Sequence, residues 1–356
     1  MDEAGRMEFA FGETQQSVQD LAAEVLRRES GRGAPGDGTR YDEAIWKALG
    51  DAGLRSLAVP ERLGGAGLGV LETAIVLTEI GRAAADVPAL STLAFGVLPV
   101  ARHGTPAQQD ELLDGKILTA ALNEPSSPLP DEPRTEAVDG RVSGAKTGVL
   151  HADLAHRILI SASTPDGPGV VLVDPAARGV TLHQVRSSSG IEWAVRLDDA
   201  PGEFLGGAPD RAVLADLYAC AVAGICAVGD GAVAGALGHT AEHLRTRHQF
   251  GKPLAAFQAV AQQIADVYIA ARTLHLAAQS ASWRLAAGLD AVEDLAVAAW
   301  WLAEEAPAVL QTCHHLHGGL GLDITYPLHR YSSLITDLAR LAGGAQHRLD
   351  VLAARA

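Results

Sequence analysis

The spacing of apolar residues changes twice along this chain and divides it into three textures. In the first, apolar positions recur with the 3.6-residue period that turns one helix face toward a core. SVQDLAAEVLRRES (17–30) and YDEAIWKALGDAG (41–53) each predict a helix, the second ending at Gly53, with GRGAPGDGTR (31–40) as a loop between them. SLAVPERLGGAGLG (56–69) is an irregular, Gly-rich connection. LETAIVLTEIGRAA (71–84) and PALSTLAFGVLPVARHG (88–104) read as apolar helices. TPAQQDELLDG (105–115) opens on Thr105, whose hydroxyl can accept from the free amides of a helix start.

From 117 to about 206 the pattern changes to short alternating or β-branched runs. HRILISAS (156–163) and GVVLVDP (169–175) flank the turn signal TPDGP, and GVTLHQVRS (179–187) and EWAVRLDDA (192–200) follow. Strands without helices between them predict antiparallel pairing in a barrel or sandwich. Helix returns beyond 209. Asp210 is placed to cap a nearly unbroken helix to Arg247, FGKP (250–253) interrupts, and 257–288 and 290–319 read as two further long helices. LGLDITYP then turns, and a last helix runs through LARLAGGAQHR (338–348), broken by Gly343–Gly344. Each Gly costs a helix about 1 kcal/mol relative to Ala, so that bend demands a reason. Long Ala-rich helices with short connections make an antiparallel bundle. The expected fold class is therefore multidomain α+β: an N-terminal helical domain (1–116), a middle antiparallel β-barrel or sandwich (117–208) and a C-terminal four-helix bundle (209–356).

Composition narrows the function. Apolar residues make up 48% and charged residues 20%, as in a globular protein. The 28 Lys plus Arg against 43 Asp plus Glu leave a net charge of −15, which argues against a nucleic-acid partner, whose phosphates require neutralising. The most apolar run (218–238) contains Asp230 and many small residues, so it reads as a helix packed inside protein, with no membrane partner. The N-terminal residues show no basic stretch followed by an apolar one, so no signal peptide is expected. Cys220, Cys226 and Cys313 form no CxxC pair and read as buried thiols of a reducing, cytoplasmic compartment.

Two motifs carry the chemistry. RHQFGKPLAAFQAVAQQIAD (247–266) contains Arg-x-x-Phe-Gly-x-Pro, then Phe-Gln, then Ala-Asp; HLHGGLGLDITYPLHR (315–330) contains Gly-Gly-x-Gly, then Tyr-Pro-x-x-Arg. In this order, on an α–β–α chain, they resemble the acyl-CoA dehydrogenase family over essentially all 356 residues. The resemblance implies FAD and the α,β-desaturation of an acyl-CoA thioester, in which a carboxylate removes the α-proton and a hydride passes from the β-carbon to the flavin. It also implies a flavin at a subunit interface. One subunit's β-domain holds the ring, and the neighbour's two motifs reach the pyrophosphate and adenosine. Carried over residue by residue, Arg247 is the donor to the pyrophosphate, Gln249 and Gln258 are polar contacts, and Phe250 packs near the cofactor. Gly318 and Gly319 let the backbone approach a phosphate, and His315 stands where the family usually has Gln. Taken singly, Arg247 is an ordinary helix-end cation and Gly318–Gly319 an ordinary helix stop. The combination points to the cofactor.

The departures are as informative. Counting from Tyr326–Pro327, the family's usual catalytic Glu falls on Ala342, so no catalytic residue is assigned. An alternative position for that Glu, near YACAVAG (218–224), has no acid; Asp216 is the nearest and does not fit. The family's Thr-Glu-Pro appears as Asn123–Glu124–Pro125 before a short Pro-rich loop, and its Lys-x-Trp reads KTGV (146–149), with Gly148 in place of the aromatic that packs on the flavin. The half-site given to a neighbour looks intact, and the half for the chain's own flavin looks lost. A homo-oligomer would need both. The expectation is an α2β2 hetero-oligomer in which this chain completes the FAD site of a homologous catalytic acyl-CoA dehydrogenase subunit. The acyl-CoA, in some such pairs a sterol side-chain ester, would lie mainly in that partner's pocket, with an electron-transfer flavoprotein or similar acceptor. The Gly343–Gly344 bend would be the inherited geometry of the catalytic loop.

Two other readings stand beside it: a self-sufficient flavin dehydrogenase with a displaced base at Asp216 or Glu305, and a flavin-free scaffold. His314 and His317 have ligand spacing beside Cys313, but the stretch coincides with the flavin motif and no metal is expected. Trp300, Trp301 and Tyr268 read as bundle core, and Glu304–Glu305 as a solvated helix face.

Overall fold

Helices α1 (Glu13–Ser30), α2 (Glu43–Asp51), α3 (Val70–Arg82), α4 (Leu98–His103) and α5 (Pro106–Leu112) build the first third of the chain. The computed structural model describes residues 10–30 and 41–354, so the loop expected at 31–40 lies outside the described residues. Side-chain chemistry sets the helix starts. Asp42 accepts from the Ile45 amide, and Thr105 and Gln108 cap α5 reciprocally. The helix expected over 88–104 is not uniform: Leu90–Val97 has π-helical bonding before α4 begins. Pro99, at the start of α4, has no amide to donate and its ring crowds the preceding turn, which favours the wider winding.

Seven strands form the middle region: β1 (Leu118–Ala121), β2 (Glu136–Val138), β3 (Arg141–Leu150), β4 (Arg157–Thr164), β5 (Gly167–Val173), β6 (Val180–Arg186) and β7 (Ile191–Phe204). The pairings run β4–β2–β3–β7–β5 and return from β5 to β4, closing a barrel; β1 adds to β4 and β6 to β7. The antiparallel expectation holds for most pairs but fails for β1 and β2, which both run parallel to β4. Parallel pairing needs a long crossover, and the excursion from Ala121 through β2 and β3 supplies one without a helix. The unbroken apolar runs of β4 and β5 are explained by burial on both faces. Ile158, Ile160, Val171 and Val173 fill the barrel, while Leu159, Val170 and Leu172 join the core shared with the helices.

The last part comprises α6 (Arg211–Thr246), a hairpin of β8 (His248–Gln249) and β9 (Lys252–Pro253), α7 (Gln258–Ala286), α8 (Val292–His317), α9 (Leu328–Leu341) and α10 (Gly344–Ala353). Helix α6 is the central element. Every residue from Cys220 to Val233 is buried, against α3 on one side and α7, α8 and α9 on the others. By length and hydropathy α6 could cross a membrane, but 78% of its most apolar window is buried inside the protein. Glycines permit this crowding. A Cβ at Gly231 would collide with the Thr78 carbonyl of α3, and one at Gly81 with the Val228 carbonyl of α6. Tyr268 corrects an expectation: it is 59% exposed and not in the core. Helix α7 spends its one buried stripe on Val267, Ala271, Leu274 and Ala278, and Tyr268 falls outside that stripe with Ile269. Trp300 and Trp301 contact edge to face and are half-buried; Glu304 is exposed and Glu305 half-exposed.

Candidate functional site

The two motifs sit where α6 and α8 end. Arg247 leaves the helix with extended dihedrals as the C-cap of α6. The hairpin that follows turns on Phe250 (φ 51°) and Gly251 (φ 78°), both left-handed, as a tight two-residue turn requires. Gly supplies that conformation freely; Phe250 adopts it at a cost and is left 92% exposed, with Phe257 edge-on at 6.3 Å. Lys252 Nζ lies 4.2 Å from the Phe257 ring centroid. The Arg247 side chain is exposed and makes no ion pair or hydrogen bond among the described residues, in a chain rich in carboxylates. Helix α8 ends at Gly318, whose φ of 57° and ψ of −135° only glycine adopts readily. No atom lies within 4 Å of a Cβ built on Gly318 or Gly319, so the backbone there faces open space.

What joins the two motifs is a pair of imidazoles. His243, one turn before Arg247, stacks on His317, the residue before Gly318, with ring centroids 4.5 Å apart and planes 20° apart. His317 is fixed: Nδ1 lies 2.8 Å from the Cys313 carbonyl and Nε2 3.0 Å from the Tyr326 hydroxyl. Burial pushes the pKa of both rings down, and Arg247 adds to the effect on His243. Both His314 nitrogens are engaged, with the Gly321 carbonyl and the Ser332 hydroxyl. His315, Gln249 and Gln258 are all exposed, Gln249 on β8 and Gln258 in the first turn of α7, and nothing in the fold ties either glutamine to Gly318. An unpaired guanidinium at one helix end and an open glycine backbone at another, linked through the His243–His317 stack, are a donor set suited to a pyrophosphate. The residues present therefore fit the outer half of an FAD site, in which Arg247, Gly318 and Gly319 would be the phosphate contacts. No reading of the sequence singled out His243, although its position four residues before Arg247 on one helix was a usable signal.

The position on which the family's usual Glu falls by counting has the opposite character. Ala342 is fully buried, and the buried Arg348 donates from Nε to its carbonyl at 2.6 Å. Asn123 Nδ2 donates to the adjacent Leu341 carbonyl at 3.2 Å while its Oδ1 accepts from the Leu129 amide at 3.0 Å. The bend that follows is left-handed at Gly343 and Gly344 (φ 93° and 80°), and a Cβ at Gly343 would fall 3.0 Å from Pro128. Across the same seam Arg340 pairs with Glu192, and Asp337 accepts from the Ser188 and Ser189 amides and the Ser189 hydroxyl. Gly148, where an aromatic would pack on a flavin, has φ 66°; a Cβ there would sit 3.1 Å from Arg340 Nη1 and 3.3 Å from Leu341 Cδ2. The β-domain loops and the α9–α10 bend are in direct contact, and a ring stacked at 148 would displace both side chains.

Two acids near the expected positions are already engaged. Asp216 is gripped by Arg102 (2.8 and 2.9 Å) and His103 (2.7 Å). Burial alone would raise its pKa, but those partners outweigh it and the net shift is downward. Near the alternative position on α6, Tyr218 donates to the Pro130 carbonyl. Glu124 is buried and accepts from Lys146 Nζ (2.8 Å) and from the Arg134 and Thr135 amides (2.8 and 2.9 Å). Burial opposes its charge, yet these donors hold its pKa down at about 2, while burial lowers Lys146 to about 8 against the pull of Glu124. Lys146 also donates to Ser161, so the pair fastens the 123–135 loop to the barrel. This pair brings together Glu124 of the Asn-Glu-Pro stretch and Lys146 of KTGV, which lie apart in the sequence.

The fold and the two motifs place the chain among flavin-dependent acyl thioester dehydrogenases, and comparison with known proteins gives the same class. Residues 12–117 match the acyl-CoA dehydrogenase N-terminal domain and residues 222–356 the acyl-CoA dehydrogenase C-terminal domain. The chain is 45% identical over 358 residues to "Acyl-CoA dehydrogenase FadE28" of Mycobacterium tuberculosis, covering 98% of this chain and 99% of that one. It belongs to the acyl-CoA dehydrogenase family. Among solved structures, a chain of the Tcur3481–Tcur3483 steroid ACAD superposes with a TM-score of 0.89 at 34% identity, covering 96% of this chain and 98% of that chain. A chain of the Mycobacterium tuberculosis ChsE4–ChsE5 complex does so with a TM-score of 0.87 at 32% identity, covering 98% of each.

Proposed function

We propose that this chain is the base-lacking subunit of a heteromeric FAD-dependent acyl-CoA dehydrogenase, and that it completes the flavin site of a homologous catalytic partner in an α2β2 assembly. The observation that carries this reading is the contrast between the two halves of the site. Arg247, Gly318 and Gly319 are open and unpaired, whereas Ala342 is fully buried, with its carbonyl held by Arg348 and that of neighbouring Leu341 by Asn123. Two solved neighbours support it, one described as a steroid ACAD and both as pairs of distinct chains. On the same ground the proposed substrate is a bulky acyl-CoA such as a sterol side-chain ester, held in the partner's pocket. Electrons would pass to an electron-transfer flavoprotein or similar acceptor, and the buried free thiols suit a cytoplasmic setting.

The flavin, when bound, supplies the hydride acceptor for α,β-desaturation. Arg247 would neutralise pyrophosphate charge, the Gly318–Gly319 backbone would offer amide donors to it, and Phe250 would supply apolar surface to the cofactor. None of these residues moves a proton of the substrate. With Glu124 held at about pKa 2 by Lys146 and two amides, and Asp216 engaged by Arg102 and His103, the acids nearest the expected positions are committed to structural contacts. The test is flavin stoichiometry by visible absorbance, for the chain alone and for the chain co-expressed with an acyl-CoA dehydrogenase homologue that it co-purifies with. The expected result is no flavin alone and about one flavin per pair of chains in the complex. Stoichiometric flavin in the lone chain would overturn the reading.

A further inference from the structure

His243 is half-buried, and its ring nitrogens make no hydrogen bond among the described residues, in contrast to the fully engaged His314 and His317 nearby. It lies one helical turn from Arg247 on the same face of α6, and its stack on His317 holds it beside the glycine turn of α8. Resting on the reading of the previous subsection, we propose that His243 is a second, proton-dependent donor to the dinucleotide pyrophosphate, set beside Arg247 and aimed by its stack on His317.

The physical argument is one of charge. Alone, His243 sits near a cation and partly out of water, and both conditions favour the neutral ring. A bound pyrophosphate reverses the local field, so the ring gains a proton and a charge-assisted N–H···O bond. The C-terminal carbonyls of α6 favour the same cation. The surrounding groups do not compete for this part. On α6, His239 contacts the rings of Tyr326 and Tyr331, and Glu242 is paired with Arg245. On α8, Cys313 is buried, His314 and His317 are spoken for at both nitrogens, and His315 is exposed. From the hairpin, His248 Nδ1 bonds the Thr246 carbonyl and Lys252 covers Phe257. Asp323, in the turn before α9, accepts from Thr325.

The sign follows. The free-state pKa of His243 lies below the ordinary value and the bound-state pKa lies higher. The extra affinity is therefore fully present below the free-state pKa and is lost as pH rises through the bound-state one. The experiment measures FAD affinity of the co-expressed complex by flavin fluorescence between about pH 5 and 8, with calorimetry in two buffers of different ionisation heat to count protons taken up. Wild type is expected to bind FAD more tightly as pH falls, by up to about tenfold per pH unit for one linked proton. His243→Gln and His243→Phe should both flatten that slope and abolish proton uptake; the Phe variant keeps a ring on His317, so packing loss is separated from donor loss. His183→Gln, on β6 and outside both motifs, should keep the slope. A wild-type slope in both His243 variants, or no slope in wild type, overturns the inference. Arg247→Ala distinguishes the two readings. If it weakens FAD binding while the His243 variants behave as wild type, only the role of His243 falls; if it leaves FAD binding unchanged, the half-site reading falls as well.

Discussion

Asn123, on the loop after β1, donates a hydrogen bond to the backbone carbonyl of Leu341, the residue immediately before the Ala342 that replaces the expected catalytic carboxylate. One side chain thereby joins the barrel to the α9–α10 bend. The bend is left-handed at Gly343 and Gly344, and Ala342 beside it is fully buried.

Restoring the acid should therefore not restore an enzyme. Ala342→Glu places a carboxylate at a fully buried position with a carbonyl already committed to Arg348. We expect a loss of about 3–5 kcal/mol, the scale of an uncompensated buried charge, and no dehydrogenation by the lone chain. Thermal denaturation and a dye-reduction assay check both; wild-type stability would show that the seam is not closed.

Arg247→Ala should behave in the opposite way. The side chain is exposed and unpaired, so folding stability should change by no more than about 0.5 kcal/mol. Flavin content of the complex and its activity should fall together. Equal flavin in mutant and wild-type complexes would remove Arg247 from the site.

The Glu124–Lys146 pair is structural and should be costly to break. Lys146→Met leaves a buried carboxylate with only two amide donors, for an expected loss of about 3–5 kcal/mol; adding Glu124→Gln should recover part of it in a double-mutant cycle. Because the folded-state pKa of Glu124 is depressed from 4.5 to about 2, its contribution is complete above 4.5 and is lost as pH falls toward 2. Acid denaturation of the double mutant should be shallower in that window.

Gly318→Ala tests the cradle itself. Its dihedrals would strain any side chain by about 1–3 kcal/mol although no atom obstructs the Cβ. The expected outcome is a modest drop in melting temperature with a larger loss of flavin affinity, measured by equilibrium dialysis of the complex. Unchanged affinity would mean that the backbone at 318 does not approach the cofactor.

Much of the candidate site was legible because its signals are local. Arg247, Phe250 and Gly318–Gly319 announce themselves by spacing within single motifs, and the loss at Ala342 and Gly148 can be counted from neighbouring anchors. The His243–His317 stack was not, since two histidines about seventy residues apart meet only where the ends of two helices are packed together. The same is true of Glu124 and Lys146. The mistaken expectation for Tyr268 had a related cause: periodicity finds a buried stripe but not which helices are near enough to cover its margins.

By itself the sequence determined the long helix runs, the Thr105 and Asp210 caps, and the spacing of the two motifs, all of which depend on neighbours a few positions away. The tertiary structure alone decided that β1 and β2 run parallel to β4, that Leu90–Val97 winds as a π-helix, and that the seam at Ala342 is closed. Strand direction, helix register and the filling of a cleft are settled by contacts between distant residues, and those contacts exist only after the whole chain has chosen how to pack.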